Sequence, residues 1–208
     1  MLQKNLETLV REILSDTYVS LGMDGFSLTE NVREQSASIA AVLINKRDGA
    51  TRSVEGRGVG MVDALFTGLT LSLSSEYPSL EHIHFVDFKI TSDFDHHDNG
   101  SRSDASLKVC LAVENSSGRR FEFAHTSRSI TASCAGAVIE CVEHFVNAEL
   151  AVLRVLDWIA DAKGRRRQDL VDKYTQRLAD LVKNSSYSES IERSRTHADI
   201  GATPYRDA

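Results

Sequence analysis

Gly56-Arg57-Gly58-Val59-Gly60-Met61-Val62-Asp63-Ala64-Leu65-Phe66-Thr67-Gly68-Leu69 sets three glycines at alternate positions directly before a helical pattern. Val62, Leu65, Phe66, Leu69 and Leu73 recur at the spacing of one helix face. Glycine lets backbone approach a ligand closely, and the start of a helix presents unpaired N–H groups at a positive dipole end. The stretch therefore reads as a cradle for a small anionic group such as a carboxylate or phosphate. It reads equally as a tight strand-to-helix turn. It lacks the Gly-Lys-Ser/Thr ending of a phosphate loop and the third glycine of a dinucleotide fingerprint.

Working outward, Ser38 to Ile44 is an apolar run that reads as a strand, and Lys46-Arg47-Asp48-Gly49 carries hairpin chemistry. Thr51 to Gly56 returns as a second strand and delivers the chain to the cradle. A helix from about Met61 to Ser75 follows. Upstream, Leu2, Leu6, Leu9, Val10, Ile13 and Leu14 predict a helix over residues 2–19, and Phe26 to Glu30 a short extended piece. Downstream, His82 to Thr91 reads as a half-buried strand with His82, His84, Val86, Phe88 and Ile90 in phase. Ala105 to Glu114 and Arg119 to Ser127 are strands around the turn Asn115-Ser116-Ser117-Gly118. Ile130 to Asn147 is a helix that continues from Glu149 to about Ala162, and Asp169 to Val182 is another.

The order is hairpin plus helix, twice. This predicts an α+β fold of two tandem ββ(β)α units with pseudo-two-fold symmetry, its antiparallel sheet packed by helices. The expected organisation is an N-terminal helix over 1–25, the two-unit domain over 26–148, a helical extension over 149–183 and a mobile tail over 184–208.

Composition narrows the function. The chain has 208 residues, 41% of them hydrophobic and 26% charged, with a net charge of −6. That balance argues against a nucleic-acid binder, and the basic run Lys163-Gly164-Arg165-Arg166-Arg167 reads as a solvated helix junction. No apolar run is long enough to span a bilayer, so no membrane partner is expected. Cys110, Cys134 and Cys141 form no C-x-x-C pair and read as reduced thiols of a cytoplasmic protein. Asp95, His96, His97 and Asp98 could be imagined as metal ligands, but no second cluster completes a coordination sphere. The expectation is a solvated loop, with no metal and no cofactor.

Four short motifs, in order and at matching spacing, resemble the C-terminal regulatory domain of 2-isopropylmalate synthase and citramalate synthase. Gly58-Val59-Gly60-Met61-Val62-Asp63-Ala64 resembles that family's Gly-x-Gly-Pro-Val-Asp-Ala, with Met61 in place of the proline. Val86-Asp87-Phe88 resembles its Leu-x-Asp-Tyr strand, and Ser103-Asp104-Ala105 its Asp-Ala step. Ser127-Arg128-Ser129-Ile130-Thr131-Ala132-Ser133 resembles its Ser-x-Asn-Ile-x-x-Ala-Ser helix start. The resemblance covers Phe26 to about Asn147 and implies two βββα units, a homodimer, and a branched-chain amino acid, leucine or isoleucine, as allosteric effector. It implies a ligand site on Gly58, Val59, Gly60, Met61, Val62 and Asp63, faced by Phe88, Asp104 and Ala105. His125 lies about where the second unit often has glycine. Nothing in the sequence matches the catalytic barrel of about 250 residues. The expected function is thus a stand-alone regulatory domain, not itself an enzyme, acting on a separate catalytic synthase chain. The alternative is a ligand-free dimerisation scaffold that recruits a partner through its terminal helices. An enzymatic reading lacks a placeable set of nucleophile, base and orienting group among His82, His84, His125 and His144.

Overall fold

The computed structural model describes residues 2–92 and 106–182. The elements run α1 (Leu2–Leu14), β1 (Leu21–Asn31), β2 (Ser36–Asn45), β3 (Thr51–Gly58), α2 (Met61–Leu73), β4 (Ile83–Ser92), β5 (Leu107–Asn115), β6 (Arg120–Ser127), α3 (Ile130–Gly164) and α4 (Gln168–Val182). β1-β2-β3 form one antiparallel sheet and β4-β5-β6 another. The fold is α+β, two tandem βββα units with helices at both ends.

The two units match in detail. The first strand of each carries one extra residue at the same place, Asp24 in β1 and Val86 in β4. Each middle strand ends on an asparagine, Asn45 or Asn115, that opens the hairpin turn. Gly49 and Gly118 close these turns at φ 74° and 75°, a conformation that glycine adopts without strain.

The bulges correct the sequence reading of β4. An extra residue shifts every later side chain by one position. Phe85 pairs with Val113, Phe88 with Leu111 and Ile90 with Val109. Phe85 and Phe88 pack against the core, while Val86 turns outward at 42% exposed and Ile90, near the strand end, is 41% exposed. The mixed alternation expected from His82 to Ile90 therefore changes phase at Val86.

The start of the chain also differs from expectation. α1 stops at Leu14, and Ser15 turns left-handed at φ 48°. The apolar stripe continues past it, but a long-range contact takes over. The buried Asn147 side chain accepts from the Val19 amide and donates to the Val19 carbonyl, both at 2.8 Å. This pairing ties Val19 to α3 just ahead of β1, which starts at Leu21, several residues before the short piece that the sequence suggests.

α2 lies on β3 at unusually close range. A Cβ at Gly56 would stand 2.0 Å from the Ala64 carbonyl oxygen and 2.9 Å from Gly68 Cα. Both neighbours are backbone and cannot swing aside. We expect Gly56→Ala to cost roughly 1–3 kcal/mol by pushing α2 off the sheet. Gly60→Ala, whose Cβ meets nothing within 4 Å, should be far milder, and urea unfolding of the two variants checks this.

One hydrophobic core joins both units and includes Val54, Leu65, Leu69, Leu111, Val113, Val138 and Phe145. A second core gathers α1, α4 and the C-terminal half of α3 around Leu6, Val10, Val152, Val155 and Leu181. α3 is one continuous helix that serves both. The basic run after it forms the exposed junction to α4, where Arg167 pairs with Asp169 at 2.7 Å. Among the described residues, no helix is long and apolar enough to cross a membrane.

Candidate functional site

α2 begins at Gly60, which sits extended at φ −164°, ψ 178° and brings no side chain to the helix end. The first turn bonds from the Ala64 amide to the Gly60 carbonyl at 2.9 Å. The amides of Met61, Val62 and Asp63 thus have no acceptor within the helix. Asp63, in the first turn, folds back and accepts from the Val59 amide at 2.9 Å. Gly58 allows this, since a Cβ there would collide with the Asp63 carboxyl at 2.4 Å. Val59 projects outward, 77% exposed. An open depression of about 420 Å³ lies beside it, lined by Val59 and by Glu30, Asn31, Val32, Gln35 and Ser36 of the β1–β2 turn.

The corresponding start of α3 is closed. Ser129 occupies the position of Gly60, and its hydroxyl accepts from the Ala132 amide at 3.3 Å. Ser127 stands where the first unit has Gly58, and its hydroxyl contacts Ser133 at 2.9 Å. Hydroxyls of the chain itself occupy the second helix start. The first keeps bare amides beside a carboxylate. That pairing suits a small zwitterion: its carboxylate on the amides, its ammonium beside Asp63.

A family model for the LeuA allosteric (dimerisation) domain matches residues 1–146. The chain belongs to this family. Membership gives it a regulatory, dimerising role of the LeuA type, the part of 2-isopropylmalate synthase that serves allostery in leucine biosynthesis. No curated protein matches the chain. The matched residues include α1 and all of β1.

Within this LeuA domain, the residues expected to form the site are only partly assembled. Gly58, Val59, Gly60 and Asp63 come together through the Asp63–Val59 bond. Met61 and Val62 are half-buried and turn toward the common core. Phe88 is half-buried on β4, in the other sheet, against the same core. Asp104 and Ala105 lie outside the described residues, as do Asp95, His96, His97 and Asp98. Among the described residues, no group of three or more His, Cys, Asp or Glu is placed to hold a metal.

His125 falls, by strand register, where the first unit has Gly56, since the two pair with the equivalent residues Val109 and Ile39. Its ring is accommodated by Gly136 of α3, where a Cβ would meet it at 2.3 Å. Nδ1 contacts Glu140 Oε1 at 2.7 Å. The first unit brings two glycines together at this crossing, and the second a histidine and one glycine. The sequence flagged His125 as a departure but not its partners Gly136 and Glu140.

Proposed function

We propose that this LeuA domain works as a homodimer and binds a branched-chain amino acid, leucine, at the start of α2 to regulate a 2-isopropylmalate synthase. The observation that carries the proposal is the bare helix start at Gly60, open where its counterpart at Ser129 is capped. The effector's carboxylate sits on the Met61 and Val62 amides, and its ammonium is held by Asp63. Its side chain rests on the exposed apolar surface of Val32 and Val59. Phe88, Asp104 and Ala105 remain the proposed opposite wall.

The test is a thermal-shift titration with leucine, isoleucine and valine on wild type and Gly60→Asp. Aspartate is a favoured N-cap, and a side chain at residue 60 has open space. The variant should fold at least as stably as wild type, while its own carboxylate takes the amides. Leucine at one hundred times its dissociation constant should stabilise wild type by about 2.7 kcal/mol, and Gly60→Asp should show no shift. No shift of the wild type with any of the three would overturn effector binding and leave a dimerisation scaffold.

A further inference from the structure

The two units touch reciprocally, as a two-fold relation requires. α2 of the first packs on β4 of the second, where Phe66 meets Phe85 with ring centroids 6.2 Å apart. α3 of the second faces β1 of the first, with smaller side chains at the crossing. Counting from the N-caps Gly60 and Ser129, Phe66 corresponds to Ala135 and Thr67 to Gly136. Counting from the bulges, Phe85 corresponds to Met23. An alanine and a methionine thus stand where the first crossing has two phenylalanines, while the place beside Gly136 is taken by the His125 ring. An open cleft of about 500 Å³ lies there between α3 and β1.

The wall of this cavity is chemically distinctive. Ala135, Gly136, Ile139 and Met23 supply an apolar floor. Asp24, Glu140 and Glu143 line it against a single lysine, Lys46. Glu143 Oε1 accepts from the Leu21 amide, and Glu140 Oε1 contacts His125. The second oxygen of each carboxylate has no partner among the described residues. Burial pushes the Glu143 carboxyl up from its ordinary range, opposed by the Leu21 amide and by Lys46. A cation placed beside it would relieve that cost. An anion would meet three carboxylates.

We propose that the α3–β1 cavity is a second ligand site, distinct from the α2 helix start, that takes a primary ammonium group carried on an apolar body. The ammonium is held by Glu140 and Glu143, and the apolar body fills the space that Phe66 and Phe85 occupy in the other crossing.

Isothermal titration with 2-phenylethylamine, and with 3-phenylpropionate as its anionic counterpart, tests this on wild type, Ala135→Phe, Glu143→Gln and Gly60→Asp. Ala135→Phe copies the first unit's residue into the cavity. Glu143→Gln keeps the acceptor for the Leu21 amide and removes the charge. The amine should bind wild type and Gly60→Asp alike, at least tenfold more weakly to Glu143→Gln, and not measurably to Ala135→Phe. The acid should not bind. If Ala135→Phe does not fold, the Glu143→Gln comparison decides. Equal binding of amine and acid, an unchanged affinity in Glu143→Gln, or no binding of the amine to folded wild type would overturn the proposal. Because Gly60→Asp blocks only the α2 site, failure of one site is distinguishable from failure of the other.

Discussion

Phe145→Ala should destabilise the domain by about 3–5 kcal/mol, the range for emptying a buried aromatic position. Phe145 is fully buried in α3. Its ring meets Phe121 edge-on at a centroid distance of 5.1 Å and Phe123 at 6.2 Å. These contacts fix α3 on the second sheet. Because α3 continues into the terminal helix cluster, the cavity loosens both cores at once. A loss of this size is a large share of the roughly 5–15 kcal/mol that holds an ordinary domain together. Urea unfolding followed by circular dichroism should show a markedly lower midpoint. Leu153→Ala, an exposed position on the same helix, should stay within about 0.5 kcal/mol of wild type. A Phe145→Ala loss below about 1 kcal/mol would contradict this packing.

Its neighbour His144 should make the fold sensitive to mild acid. The imidazole lies among Phe121, Phe123 and Phe145, with centroids 5.7, 5.3 and 5.1 Å away. Some of the residue reaches the surface, but Nε2 is buried without a hydrogen-bond partner. Burial lowers the pKa from 6.5 to about 4, with Arg119 acting in the same direction and Glu7 against it. A folded pKa below the unfolded one means that the unfolded chain takes up the proton first. The stability from the neutral ring is complete above pH 6.5 and is lost as the pH falls from there toward 4. The loss should reach about 2–3 kcal/mol. Glu143 and Glu149 run the other way, since burial raises both carboxyls. The informative quantity is therefore the difference between wild type and His144→Phe. Urea melts at intervals from pH 7.5 to 4 should show wild type losing stability relative to the variant. Parallel curves would contradict the role given to His144.

What the sequence makes legible follows from how local each signal is. The hairpins at Asp48-Gly49 and Ser117-Gly118, and the α2 stripe from Val62 to Leu73, depend on neighbouring residues and are plain in the chain. The strand-to-helix turn at Gly58 and Gly60 is legible for the same reason. The approach to β1 is not legible, because Asn147 holds Val19 from 128 positions away. The bulges at Asp24 and Val86 leave no mark in an alternation read one strand at a time. Aligning the units on these bulges would have revealed them and would have set Met23 against Phe85. The α3–β1 cavity stays hidden until Ala135 is compared with Phe66, since small residues on a helix read simply as close packing.

The start of α2 is the proposed amino-acid site. A leucine titration followed by ¹H–¹⁵N correlation spectroscopy of the whole chain tests it most directly. The amides of Val59, Met61, Val62 and Asp63 should move first and saturate together. The amides at the Ser129-capped start of α3 should stay in place. Leucine-dependent shifts at Ser129 to Ala132 with none at Met61 to Asp63, or no shifts at saturating leucine, would contradict it.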